Sequence, residues 1–224
     1  MAYRIGVLGA GWVGIPLCDH LHKCGYQVRL ITTKELSSID WNQFNLLIST
    51  WPRQNSKAFE TLPSNIPLIA LGTINREQPI LDFEQFLQNH FPHLTLLRLG
   101  GLIGYNRHPG KFLSGKKDLL GKNHATNLIH RDDVMQIILE LIQLAEIPVG
   151  SFDLVCDEHP SKEAFYSLAS SNLNLPLPKF KLDDVSQKKA ISNQKIKDLL
   201  HYTFLFPSPL DYLQVLRERK NNHT

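Results

Sequence analysis

The first fourteen residues constrain this chain most. Arg4-Ile5-Gly6-Val7-Leu8 is a short apolar run, Gly9-Ala10-Gly11-Trp12-Val13-Gly14 follows it as a complete G-x-G-x-x-G, and a stretch with apolar positions at Val13, Leu17, Leu21 and Cys24 comes next. Strand, glycine turn and helix in that order are what a dinucleotide pyrophosphate needs. The first glycine makes the tight turn, the second lets backbone approach phosphate, and the third lets the helix pack against the strand. The phosphate then meets unpaired N–H groups and the positive dipole end of the new helix. A plain βα packing turn would show the same glycines, so the phosphate reading rests on the strand and helix around them. Gly9, Gly11, Trp12, Val13 and Gly14 are the first candidate cofactor residues.

Gly25 reads as the stop of that helix and Tyr26–Ile31 as the second strand. The residues after this strand decide which dinucleotide is held, because an acidic residue there would bind the adenosine ribose hydroxyls. Thr32, Thr33 and Lys34 stand there instead, with Arg29 nearby. Hydroxyls and a cation suit a 2′-phosphate better than a ribose diol, so NADP is the expected cofactor and NAD the alternative. Glu35 is close enough to keep that alternative open, and a simple polar turn would also account for Thr32-Thr33-Lys34.

Further strands are predicted at Phe44–Ser49, Pro67–Leu71, Leu94–Leu99 and Phe152–Val155, and helices at Ser56–Leu62, Ile80–His90 and from Asp132 or its neighbour to about Ala145. Trp51 and Thr73 fall at the carboxyl ends of strands, where open α/β sheets bind ligands. Trp51 can cover a cofactor there or serve local packing. Gly100 to Lys111 follows a strand with so many glycines that close backbone approach or unusual dihedrals are expected rather than a packed helix. One of Asp132 and Asp133 is expected to cap the helix while the other is solvated or pairs with Arg131, and no metal site is expected from them.

With 224 residues, the chain can bury a substantial core, and its net charge of +3 is spread along the sequence rather than striped. That argues against nucleic acid as a partner. No stretch approaches a membrane span and strand one begins before a signal peptide could fit, so a cytoplasmic location is expected. Cys18, Cys24 and Cys156 have neither metal-ligand nor disulfide spacing and read as buried thiols.

The fingerprint GAGWVG, the segment LRLGGLIGYNRHPGK and the segment NLIHRDDV together resemble the extended and atypical short-chain dehydrogenase/reductase superfamily, nearest to its bacterial YeeZ-type, nucleoside-diphosphate-sugar epimerase-like branch. DEHPSKEAFY and the ending from ISNQKIKDLL to FPSP extend the resemblance over nearly the whole chain. It implies an α/β fold, a doubly wound, mostly parallel Rossmann sheet, with an NAD(P)-binding domain over residues 1–150 and a last strand and small substrate-side lobe over 151–224. By the same resemblance Asn106, Arg107, His108 and Lys111 would face the substrate cleft, framed by Asn127 and His130.

One departure bears on chemistry. Catalytic members of that superfamily use a tyrosine with a lysine four residues later, the lysine lowering the phenol's pKa. None of Tyr3, Tyr26, Tyr105, Tyr166, Tyr202 and Tyr212 is followed by such a lysine. An oxidoreductase or epimerase-like enzyme would then draw its proton from His108, His130 or Tyr105, with Arg107 and Lys111 on the anionic oxygens of a phosphorylated or nucleotide-linked small molecule. His130, beside a predicted helix start, can equally be an anchoring hydrogen-bond group. The second hypothesis is a dinucleotide-holding sensor or scaffold without catalysis. A β-hydroxyacid-dehydrogenase-like protein would also suit the first turn, but the chain after Val155 is too short and proline-broken for that family's helical domain. The oligomeric state is not legible.

Overall fold

Apolar runs without polar alternation become central strands of a parallel sheet, buried on both faces. Ile5, Val7 and Leu8 of β1 (Arg4–Leu8) and Leu46, Leu47 and Ile48 of β3 (Leu46–Ser49) are such runs, and all six are fully buried. The computed structural model describes residues 3–51, 56–105, 107–181 and 189–221. They form two compact units, Met1–Leu99 with Met135–Phe152, and Gly100–Val134 with Asp153–Thr224.

In the first unit β1 leads through α1 (Gly14–Lys23) to β2 (Gln27–Ile31), then through two 3-10 turns (Thr33–Ser38 and Trp41–Gln43) to β3. The short helix α2 (Ser56–Phe59), β4 (Leu68–Thr73), α3 (Gln78–His90) and β5 (Leu94–Leu99) follow. β1 pairs in parallel with β2 and with β3, β3 with β4, and β4 with β5. The sheet order is β2-β1-β3-β4-β5-β8, where β8 is Gly150–Leu154. The direction in which successive strands are added reverses at β1, which leaves the crevice of an open α/β sheet at the carboxyl end of that strand. Register puts Leu8 beside Ile31 on one side and Ser49 on the other, so Gly9, Thr32 and Thr50 emerge at one edge.

The predicted strands are all present, with ends shifted by two residues at most. The helix predicted over Ser56–Leu62 stops at Phe59, and the one predicted from Ile80 begins at Gln78, since proline is tolerated in a first turn. Leu17, Cys18 and Leu21 form the buried stripe of α1, whereas Cys24 lies beyond its last turn and is exposed. Only Cys18 and Cys156 are therefore buried thiols, and burial raises both, Cys18 to about 11, which keeps them protonated at neutral pH.

The second unit holds β6 (Gly101–Ile103), α4 (Gly110–Leu113), β7 (Leu128–His130), the start of α5 (Arg131–Gln143), α6 (Lys162–Asn172), α7 (Gln194–Leu200) and α8 (Pro209–Asn221). The glycine-rich segment is more regular than its composition predicts. It supplies β6, parallel to β7, and the one-turn α4. Close approach is nevertheless what its glycines permit: a Cβ on Gly100 would lie 2.6 Å from the Asn127 carbonyl oxygen, and one on Gly110 would collide with the Ala169 carbonyl of α6. Phe165, Ala169, Tyr212 and Leu213 form the core with Ile103 and Leu128.

The start of α5 differs from the expectation. Neither aspartate caps it; Nδ1 of His130 accepts the Asp132 N–H at 3.2 Å. Asp133 is fully buried and accepts from the Tyr202 hydroxyl at 2.9 Å and from the N–H groups of Leu205 and Phe206 at 2.7 and 3.2 Å. It ties the segment before α8 to α5. Asp133→Ala removes the acceptor of two part-buried N–H groups and of the buried Tyr202 phenol, so it should lower the unfolding free energy by roughly 2–3 kcal/mol. Asp132→Ala, whose ion pairs to Arg131 and His130 are long at 3.7 and 3.9 Å, should cost less than Asp133→Ala in the same urea titration.

His130 itself is fully buried, and burial, with the charge of Arg131 second, lowers its pKa to about 3. An unfolded chain takes up this proton near pH 6.5. The folded chain does not until near pH 3, so the stability carried by neutral His130 is complete above about 6.5 and is lost as pH falls toward about 3. Asp133, its pKa raised by burial, works in the opposite sense. The His130 contribution is therefore read as a difference: between about pH 7 and pH 4, wild type should lose stability more steeply than His130→Asn, by up to about 1.4 kcal/mol per pH unit.

Candidate functional site

The turn between β1 and α1 is fixed by what cannot fit there. Gly9 has φ +109°, and its N–H donates to the Ile31 carbonyl at 2.9 Å. A Cβ on Gly9 would lie 2.6 Å from Thr50 Oγ1 and 2.9 Å from Trp51 Cδ1, and a Cβ on Gly14 would collide with the Gly9 carbonyl. The Thr50 hydroxyl closes the turn from the end of β3, 3.0 Å from the Leu8 carbonyl oxygen and 3.2 Å from that of Gly9. Gly11 is different, for nothing lies within 4 Å of where its Cβ would be. The amino end of α1 has no side-chain cap and no acidic residue in its first turn. Its first N–H groups and dipole thus have no local anion, and Gly11 leaves room for one to approach.

Beside this turn, Thr32 is held by Glu35. The Thr32 N–H and hydroxyl donate to Glu35 Oε2 at 2.9 and 2.7 Å, and Arg29 Nη2 lies 3.4 Å from Oε1. These contacts, the Thr32 N–H first, hold the Glu35 carboxyl below its usual range. The T-x-x-E spacing of a capping box was the signal for this arrangement. Thr33 and Lys34 are exposed. Trp51 is 4% exposed and meets Phe59 edge to face at 5.6 Å, so it serves packing. Thr73, at the carboxyl end of β4, accepts the Asn75 N–H at 3.3 Å.

The remaining candidates belong to the second unit. His108 Nδ1 accepts the Gly110 N–H at 3.0 Å, which makes Nε2 the protonated nitrogen of the neutral ring. Burial, and then Lys111, lower its pKa. The Arg107 guanidinium stands 5.9 Å from the Phe112 ring centre, and Arg107 and Lys111 are exposed. Asn127 is engaged at both ends of its amide, donating to Lys189 O at 3.1 Å and accepting from the Ile191 N–H at 2.9 Å. Tyr105 meets the His130 ring edge to face at 5.5 Å. The rings of Phe206 and Tyr212 lie closer to His130, tilted at 4.0 and 4.6 Å, and among the described residues its Nε2 has no hydrogen-bond partner. Asn106 lies outside the described residues.

Sequence reasoning passed over Glu84 as well as Thr50. Glu84 is 4% exposed, and Arg98 grips it through Nε, 3.0 Å from both carboxylate oxygens, and Nη2, 2.7 Å from Oε2, with Arg76 adding a contact at 3.0 Å. Its place within the apolar stripe Ile80, Phe83 and Leu87 of α3 was the available signal. Among the described residues no group of three or more His, Cys, Asp and Glu side chains could hold a metal ion, and no helix is long and apolar enough to cross a membrane.

No protein-family model matches the sequence. Protein YeeZ of Escherichia coli K12 is 26% identical, in an alignment covering 92% of this chain and 97% of YeeZ. Among solved structures, a human epimerase family protein, SDR39U1 isoform 2, determined with NADPH, superposes with a TM-score of 0.72 at 14% identity, covering 96% of this chain and 99% of that one. A short-chain dehydrogenase/reductase superfamily protein from Agrobacterium tumefaciens with bound NAD gives 0.71 at 12% identity, covering 99% of this chain and 98% of that one. Along nearly its whole length the chain is therefore similar to YeeZ, and its fold is the one found in short-chain dehydrogenase/reductase and epimerase-family proteins.

Proposed function

We propose that this protein binds a nicotinamide dinucleotide, with the pyrophosphate seated on the N–H groups at the start of α1. The uncapped amino end of that helix beside an open Gly11 is the observation that carries the reading. The solved neighbours with NAD and NADPH support it. NADP(H) is the preferred form in this reading, because Thr33 and Lys34 are exposed and can meet a 2′-phosphate, while Glu35 already engages Thr32 and Arg29. NAD(H) is the alternative.

When bound, the nicotinamide would supply hydride transfer. The chain's own part would be to bind the other reactant and handle its proton. Arg107 and Lys111 suit the anionic oxygens of a phosphorylated or nucleotide-linked metabolite. His108 can offer its Nε2–H, its other nitrogen being committed to Gly110, with Tyr105 as the second donor. His130 stays neutral and enclosed at neutral pH and shapes its surroundings from behind. A non-catalytic dinucleotide sensor or scaffold is the second reading, and α3 favours it. That helix, which follows β4, carries neither tyrosine nor lysine.

Calorimetric titration with NADPH and NADH tests the seat. Gly11→Asp should abolish binding of both, since it sets a carboxylate against the pyrophosphate, and should leave the melting temperature unchanged, since no atom lies within 4 Å of the new Cβ. Lys34→Glu should weaken NADPH roughly tenfold more than NADH, the loss of one charge-assisted contact. Equal effects would reverse the cofactor preference. Hydride exchange between NADPH and a sugar nucleotide, lost in His108→Ala or Lys111→Ala, would establish the enzyme over the sensor.

A further inference from the structure

The first unit contains a cavity of about 240 Å³ between α3 and the sheet, walled by Trp51 from the end of β3, Gly72 and Thr73 of β4, Leu96 of β5, and Phe83 and Glu84 of α3. It lies apart from the pyrophosphate seat. Trp51 presents its Cδ1 edge to Gly9, so the indole stands between the glycine turn and the cavity. We infer that this cavity is a binding site for a small, uncharged aromatic ring bearing one hydrogen-bond acceptor.

Size, polarity and charge each narrow the ligand. An apolar cavity of about 150 Å³ holds benzene, so this one admits a substituted single ring. Its wall is mostly aliphatic and aromatic, and a water there would need two to four polar partners. Few are on offer. Both Glu84 oxygens already accept from Arg98, and one of them also from Arg76. Because that carboxylate is neutralised, a cationic ligand gains no counter-charge. A charged ligand of either sign would lose its hydration in this largely apolar cavity. Thr73 is the exception among the polar groups. Its oxygen accepts the Asn75 N–H, and no acceptor for its own proton is present among the described residues. A carbonyl on the ring would receive that proton. Phe83 and Trp51 offer faces and edges to the ring itself.

The inference does not depend on dinucleotide binding, and its test needs no dinucleotide. Acetophenone, toluene, benzoate and benzylammonium are titrated against the full-length protein, with the methyl NMR signals of Ile80, Leu87 and Leu96 as reporters. Acetophenone should give saturable shifts at all three, and benzoate and benzylammonium should bind at least tenfold more weakly. Thr73→Val keeps the shape of the wall and removes the hydroxyl; it should weaken acetophenone roughly fivefold while leaving toluene unchanged. Leu96→Phe should exclude both by filling the space, and if it does not fold the probe series and Thr73→Val still decide. No saturable shift with acetophenone, charged probes binding as well as it does, or equal effects of Thr73→Val on acetophenone and toluene would each overturn the inference.

Discussion

The contact between Gly14 and the Gly9 carbonyl oxygen sets the geometry of the first unit. No side chain fits between them, so α1 leaves β1 along a path that only glycine at position 14 allows. Once the path is fixed, the parallel register does the rest. It brings Thr50 from β3 to bond the two carbonyls of the turn and lays Thr32 beside it from β2. A helix that starts in this way, with no side-chain cap and no acidic residue in its first turn, meets the requirement of the proposed pyrophosphate seat. The three glycines thus divide their work: Gly9 and Gly14 build the turn, and Gly11 leaves its approach open.

Two buried carboxylates play a comparable organising part. Glu84 sits in the apolar stripe of α3 and is matched by the fork of Arg98, which fixes α3 against β5. Asp133 pairs with no cation among the described residues; it accepts from a phenol and two backbone N–H groups of the chain before α8. A buried ion pair contributes little net stability against a hydrophobic replacement, yet removing one partner costs about 3–5 kcal/mol. Their value is therefore in register. Each aligns segments that apolar packing alone would leave free to slide.

What the sequence made legible follows from the range of the forces involved. Strands β1 to β5, the glycine turn and the stop of α1 at Gly25 are written in local periodicity and glycine placement, and these hold within a residue or two. Cys24 was misjudged because an apolar spacing was carried one residue past Lys23, where α1 ends ahead of Gly25. The glycine-rich segment hid β6 because its pairing partner, β7, is some twenty-five residues away along the chain. The roles of Asp133, Asn127 and Glu84 were illegible for the same reason. Their partners are supplied by other elements, and a single sequence carries no sign of which polar residue meets which. Glu35 was the exception, since its box with Thr32 is local and could have been read.

Hydrogen-bond ownership also separates what the second unit can offer a ligand from what its residue types suggest. Its cleft candidates include two histidines and an asparagine, a set rich in proton chemistry on paper. In the fold, Asn127 spends both ends of its amide on residues 189–191, His130 is enclosed by Phe206 and Tyr212, and His108 gives one nitrogen to α4. Burial lowers both imidazoles, which favours neutral rings over imidazolium ions at neutral pH. The exposed groups are the cations Arg107 and Lys111. Recognition of an anion is thus better provided for than transfer of a proton, and any reaction on this scaffold must obtain its acid from a neutral Nε2–H, a phenol or the reactant itself.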